Sequence, residues 1–359
     1  MTSRDVPGGM NDAFREVIAA SQDDRRALFL GTARRLGTAV QNVEKDFWVC
    51  WTLDAMFNGL PADGPRLLFK GGTSLSKAYG LISRFSEDID VTVFRDDLGE
   101  PASVEELEQL SGKKRQARLD AIKASCQAYI NGALLAGMGG LIEREMRDAG
   151  VTDDRIHLVS DEDDADRQTL LYWYPSVTAA AGAYVRSAVK IESGAKSAID
   201  PHRPAVVTPY VATDVPRLDL RVPNVTTVEP ERTFWDKLII LHGLRRWFER
   251  RGVLRQGGQR VSRHYYDVSR LFESDVVSSA VADRALGIDC ARHARLFFNS
   301  ADLDLNHAVP GTLAIAPTEA MLDPLRRDYD AMAGMIFGDV PTFDHVVRDI
   351  VALEARVNG

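Results

Sequence analysis

The side chains best suited to chemistry lie within residues 69–91. There, Phe69-Lys70-Gly71-Gly72-Thr73-Ser74-Leu75 is followed by Arg84-Phe85-Ser86-Glu87-Asp88-Ile89-Asp90-Val91. Two aspartates at i and i+2 on a strand point to the same face, so Asp88 and Asp90 can reach one pair of cations. Hard oxygen ligands select Mg²⁺ (or Mn²⁺), which bridges nucleotide phosphates. Gly71 and Gly72 carry no Cβ, so the backbone N–H groups after Lys70, and the hydroxyl of either Thr73 or Ser74, can approach a triphosphate. A phosphate cradle beside a metal pair supplies the parts for nucleotidyl transfer from an NTP, with the second metal clamping the attacking and leaving oxygens. Ser86 stands two residues before Asp88 and shares its face if the strand already begins there. A phosphoryl group on Ser86 would add roughly −1.5 to −2 charges beside the carboxylates, which makes it a point of control.

The flanking pattern says what must position these residues. A short strand at 66–69 runs into the glycine turn, a helix follows from Leu75, and 89–94 alternates as a second strand. Residues 11–58 read as helices covering one face of the sheet. Residues 103–149 read as helical and 151–166 as a polar loop, acidic through Asp153, Asp154, Asp161, Glu162, Asp163, Asp164 and Asp166. Strands are expected again at 169–174 and 184–192, in antiparallel or mixed order. Helices are expected at 233–248, 264–272, 318–337 and 343–357. The fold class is therefore α+β: a mixed-sheet catalytic lobe with N-terminal helices over 1–228 and a helical lobe over 229–359.

Composition narrows the function classes. The chain has 359 residues, 45% hydrophobic and 27% charged, which fits a folded protein and neither a disordered nor a fibrous one. Cys50, Cys126 and Cys290 are far apart with no metal-ligand spacing, so a disulfide framework and a structural zinc site are unsupported. The polar segment 1–11 and the lack of a long apolar run predict a cytoplasmic protein without membrane association. The net charge of −8 argues against bulk electrostatic binding of nucleic acid. Locally the balance reverses: Arg245, Arg246, Arg250, Arg251, Arg255, Arg260 and Arg263 face the single acid Glu249 within 238–263. Such a stretch can hold an RNA backbone, with Trp247, Phe248, Tyr265 or Tyr266 available for stacking.

Lys70-Gly-Gly-Thr-Ser-Leu-Ser-Lys77 and Arg84-Phe-Ser-Glu-Asp-Ile-Asp90 resemble the signature of the AbiEii/AbiGii-type (MenT-like) toxin nucleotidyltransferases. These are the enzymatic half of type IV toxin–antitoxin pairs, within the polymerase-β-like superfamily. Glu44-Lys45-Asp46-Phe47 resembles the helix that precedes the family's catalytic lobe. Lys190-Ile191-Glu192 resembles its later lysine-plus-carboxylate motif, which implies that Lys190 neutralises phosphate and Glu192 is a third carboxylate. Glu231-Arg232-Thr233-Phe234-Trp235-Asp236-Lys237-Leu238 and Ser262-Arg263-His264-Tyr265-Tyr266-Asp267 resemble two further motifs. On this resemblance Lys77 and Lys237 join the nucleotide site, and Glu192 and Asp236 compete as the base. The acceptor is expected to be RNA, a tRNA 3′ end, with a cognate antitoxin as partner and phage defence as the setting. Two other classes remain open: an antibiotic-type small-molecule nucleotidyltransferase, which would carry an acidic acceptor pocket, and a non-catalytic RNA- or antitoxin-binding module.

Overall fold

The computed structural model describes residues 9–178, 186–255, 260–298 and 300–359. The chain opens with α1 (Ala13–Ala19), α2 (Gln22–Leu36) and α3 (Val40–Asp54). Ser21 caps α2 by accepting the Asp24 N–H, and Gly37 ends it at φ 66°, a left-handed turn that glycine takes without steric cost. From Asn42 to Asp54, α3 is buried on every side. That is the signature of a helix held between a sheet and other helices.

The strands are β1 (Leu67–Lys70), β2 (Asp88–Val93), β3 (His157–Ser160), β4 (Thr169–Trp173), β5 (Ala188–Gly194), β6 (His202–Val207) and β7 (Val222–Val228). They form one mixed sheet in the order β3-β4-β5-β2-β1-β7-β6. Pairing is parallel for β2–β5 and β1–β7 and antiparallel for β1–β2, β3–β4 and β4–β5. Pro204 sits on the terminal strand β6, where the missing N–H costs the ladder least. One face of the sheet packs on α3 through aromatic rings: Trp48 stacks on Tyr174 at 5.4 Å and Trp51 lies 5.4 Å from Tyr172.

Four elements differ from the sequence expectations. α4 (Gly71–Lys77) begins directly at the end of β1, where a glycine turn was expected before a helix at Leu75. Gly71 makes the change of direction alone, at φ 80°. β3 lies inside the stretch expected to be loop; none of its side chains is fully buried, so it carried no core pattern and is defined by pairing with β4. β6 and β7 were not anticipated either. Tyr184 and Val185, the start of the expected strand 184–192, lie outside the described residues.

The chain divides into two compact units. The first comprises Met1–Ala78, Ser86–Pro101 and Gln116–Thr227, the second Tyr79–Phe85, Ala102–Arg115 and Val228–Gly359. The first holds the sheet, α1 to α4, most of α6 (Gly112–Tyr129), and α7 (Leu135–Asp148). The second holds α5 (Val104–Gln109), α8 (Pro230–Arg251), α9 (Ser262–Phe272), α10 (Val276–Ala282), α11 (Arg284–Phe297), α12 (Glu319–Met332) and α13 (Phe343–Asn358). Residues 79–85 are tied into it by Phe85 N–H to Met335 O and Phe337 N–H to Ser83 O, both 2.7 Å. Among the described residues no helix is long and apolar enough to cross a membrane. The three cysteines are buried and free.

A buried ionic centre joins three segments of the second unit. Arg84 clamps Asp267 through both carboxylate oxygens, at 2.7 and 2.9 Å, and Lys237 Nζ lies 2.7 Å from Asp267 Oδ2. Burial alone would raise the Asp267 pKa, but the charges of Arg84 and Lys237 outweigh it and hold the group below the ordinary carboxylate range. A depressed folded-state pKa contributes stability above the unfolded value, so this contribution is intact at neutral pH and is lost as pH falls below about 4. Asp267→Ala leaves two buried cations without their counter-charge. We expect it to cost about 3–5 kcal/mol in urea unfolding; a loss under about 1 kcal/mol would show that water screens the pair.

Candidate active site

Register, more than any single residue, assembles the site. Lys70 on β1 lies opposite Asp90 on β2, and Asp90 lies opposite Glu192 on β5. Thr169 on β4 continues that row, and Asp88 with Lys190 forms the next one. Strand alternation sends all of these side chains to one face. Their neighbours Ile89, Val91 and Ile191 go to the other face and are fully buried. Asp88 and Asp90 thus share a face as their spacing requires, and Glu192, 102 residues beyond Asp90 in the chain, is placed beside them.

Charge is concentrated on that face. Lys190 Nζ lies 2.6 Å from Glu192 Oε1. Burial would raise the Glu192 pKa, but the contact with Lys190, a hydrogen-bonding contact with Asp90 and the charge of Lys70 lower it overall. Burial lowers the Lys190 pKa, and Glu192, Asp88 and Asp161 raise it further than burial brings it down. Two carboxylates in contact repel unless a proton or a cation lies between them. Asp90 and Glu192, in contact, and Asp88 on the same face offer the hard oxygen donors that a divalent cation takes. A Cβ on Gly71 would sit 2.1 Å from Asp90 Oδ2, so the turn into α4 is pressed against the carboxylate and leaves room for glycine alone.

The hydroxyls of the cradle are turned inward. Thr73 Oγ1 donates to the Asp88 carbonyl and lies 2.7 Å from Ser86 Oγ, so Ser86 is the donor between the two. Ser74 Oγ donates to Gly71 O at 2.9 Å. Thr73 and Ser74 are buried, and together these bonds fix Gly71 and the start of β2. Glu44, Lys45 and Asp46 have roles that their spacing does not reveal. Glu44 accepts the N–H groups of Val177 and Thr178, Lys45 pairs with Glu87 at 2.8 Å, and Asp46 pairs with Lys77 at 2.6 Å. Lys77 also lies 3.8 Å over the Tyr210 ring. Thus α3 holds the residue before Asp88 and the last residue of α4, and Lys77 is engaged by Asp46. The mixture of charges in Glu-Lys-Asp was the one available signal.

Asp236, Lys237 and the arginines belong to the second unit. Asp236 lies 3.6 Å from Arg232, and Lys237 is the partner of Asp267. Arg245 and Arg246 pair with Glu249, at 2.9 and 2.8 Å, and also meet Glu354 and Asp304. Arg251 pairs with Asp302 at 2.6 Å, and Arg250 donates to Ala301 O. Arg263 is half-buried at the start of α9. The cluster is thus less cationic than its sequence, because acids distant in the chain fold back onto it. Tyr265 and Tyr266, read as available for stacking, are fully buried, since both fall on the core side of α9. Trp247 and Phe248 remain half-buried.

The pressure of Gly71 on Asp90 has a measurable cost. Gly71→Ala adds the clash to the strain of a positive φ, whereas Gly80→Ala, at φ 63° with nothing within 4 Å, adds strain alone. We expect Gly71→Ala to lose about 1–3 kcal/mol in thermal unfolding and more than Gly80→Ala; equal losses would show that Asp90 moves aside freely.

No curated protein sequence matches the chain significantly. Among solved structures it is similar to MenT4, a nucleotidyltransferase toxin from Mycobacterium tuberculosis H37Rv, at 14% identity and a TM-score of 0.48, covering 93% of this chain and 87% of that one. The family model described as nucleotidyl transferase AbiEii toxin, type IV toxin–antitoxin system, matches residues 54–349. With the Asp88–Asp90 pair, the Lys190–Glu192 pair and most of its length inside that match, the chain belongs to the AbiEii family of nucleotidyltransferase toxins.

Proposed function

We propose that the protein transfers a nucleotide from an NTP to an RNA acceptor, a tRNA 3′ end, with Mg²⁺ held by Asp88 and Asp90 and completed by Glu192. One observation carries the reading: β1, β2 and β5 bring Lys70, Asp90 and Glu192 into a single row, with Asp88 and Lys190 in the next, on one face of the sheet. When bound, the metal would neutralise the phosphates and lower the charge the chain itself must offset. Around it, the backbone at Gly71 and Gly72 admits the triphosphate, Lys70 and Lys190 offset its negative charge, and the acceptor hydroxyl lies toward Glu192. Lys190 holds Glu192 ionised, which suits a ligand better than a strong base. Catalysis then consists of positioning and electrostatics.

The test is incubation of the protein with each labelled NTP, Mg²⁺ and total RNA. Labelled tRNA is the expected product, and EDTA should abolish it. Asp88→Ala and Asp90→Ala should each lower transfer by more than about 100-fold while circular dichroism shows the fold kept; full activity in either would remove the assignment. An acceptor that proves to be a small molecule would favour the antibiotic-type reading.

For the second unit we propose RNA contact through the arginines at and just beyond the end of α8, of which Arg251 and Arg255 are 5.5 and 5.6 Å from the Trp247 ring. Replacing Arg250, Arg251 and Arg255 by Ala should weaken tRNA binding and flatten its salt dependence while leaving NTP affinity within about twofold. Loss of NTP affinity with tRNA binding intact would place these arginines elsewhere in the reaction.

A further inference from the structure

The face that carries the carboxylates does not stop at β5. Its rows run on across β4 and β3: Glu192 faces Thr169, and Asp161 N–H bonds to Thr169 O; Lys190 faces Leu171, which faces Val159; Ala188 faces Trp173, which faces His157. Alternation puts Trp173, Leu171, Val159 and His157 on the same face as Lys190 and Glu192. The opposite side chains, Leu170 and Tyr172, are fully buried in the aromatic core with Trp48 and Trp51. On the open face Val159 is 40% exposed, His157 is exposed, and Leu171 and Trp173 are half-covered. Trp173 and His157 stack, 5.9 Å between centroids and 24° between planes. An apolar, aromatic surface is thus continuous with the charged one.

We infer that this face of the β3–β4 hairpin, with Trp173 and His157 at its centre, is the stacking platform for the unpaired 3′-terminal nucleosides of the RNA acceptor. The inference rests on the function proposed above and gives the acceptor its place in that site. In-line displacement puts the attacking and leaving oxygens on opposite sides of the phosphorus. The proposed triphosphate lies on the β1 side, against Lys70 and Gly71, so the acceptor approaches from the other side of Asp90, which is β5 and then β4 and β3. Same-face residues are about 6.8 Å apart along a strand and neighbouring strands about 4.8 Å apart. Trp173 therefore stands one row from Lys190 and two rows, about 14 Å, from Glu192, which suits a base just before the terminal nucleoside whose ribose hydroxyl meets the carboxylates. Aromatic rings hold unpaired bases by their faces, whatever the base. Charge sets the direction of the strand: Asp161, Asp163, Asp164 and Asp166 crowd the hairpin turn at the Glu192 end, so the phosphate backbone leaves past Trp173 and His157.

The experiment compares wild type with Trp173→Ala, Trp173→Phe and His157→Ala in steady-state transfer to bulk tRNA, with NTP affinity measured separately by calorimetry. Loss of a base stack should raise the KM for tRNA about 5- to 150-fold in Trp173→Ala. Trp173→Phe should stay within about threefold, and NTP affinity should be unchanged in all three. Acceptor KM within about twofold of wild type in both alanine variants, or an equal fall in NTP affinity, would overturn the platform. Because Trp173 is half-covered, the phenylalanine variant guards against misfolding. Should the wild type label no RNA at all, the proposed function fails on its own. The platform is then decided by titrating bulk tRNA against tryptophan fluorescence: quenching that Trp173→Phe loses sustains it, and equal quenching in both proteins overturns it.

Discussion

The register between β1, β2 and β5 is the constraint from which the rest of the site follows. Strand side chains alternate with a period of two, so a slip by one residue would send Asp88 and Asp90 into the core and Ile89 to the surface. Three devices hold the register. Gly71 presses its backbone against the Asp90 carboxylate, Thr73 donates to the Asp88 carbonyl, and buried Lys45 pins Glu87 immediately before the strand. The like charges gathered on the exposed side are tolerated because apolar burial on the other side sets the pairing.

α3 links the core to the chemistry. Its apolar residues bury the sheet, while Glu44, Lys45 and Asp46 near its start hold the 176–178 loop, Glu87 and Lys77 in turn. Paired buried charges of this kind add little net stability, but breaking one pair is expensive. They therefore act less as a source of stability than as a means of specifying one arrangement. The Arg84–Asp267–Lys237 centre does the same for the second unit, tying residues 79–85 to α8 and α9. Segments that are adjacent in the chain at Phe85 and Ser86 thus serve different units.

The arginine stretch shows the limit of counting charges along a chain. Seven arginines beside a single acid looked strongly basic, but Glu354, Asp302 and Asp304 return to Arg245, Arg246 and Arg251 from later segments. The cysteines show the reverse: their wide spacing gave no support to a disulfide framework, and all three are buried free thiols.

The sequence alone carried the Asp88–Asp90 pair, the glycines before it and the α+β class, because each depends on local geometry: a period of two, a missing Cβ, a helical spacing. It also carried the later motifs, though only through resemblance to a family. It did not carry β3, whose side chains bury too little to leave a pattern, nor the partners of Thr73, Ser74, Lys77 and Lys237, which lie in other segments or point inward. Tertiary structure alone decided that Glu192 stands beside Asp90 and that Trp173 and His157 extend the same face. Both depend on which strands become neighbours and in what register. Hydrogen bonds between distant segments settle that, and a linear pattern does not encode it.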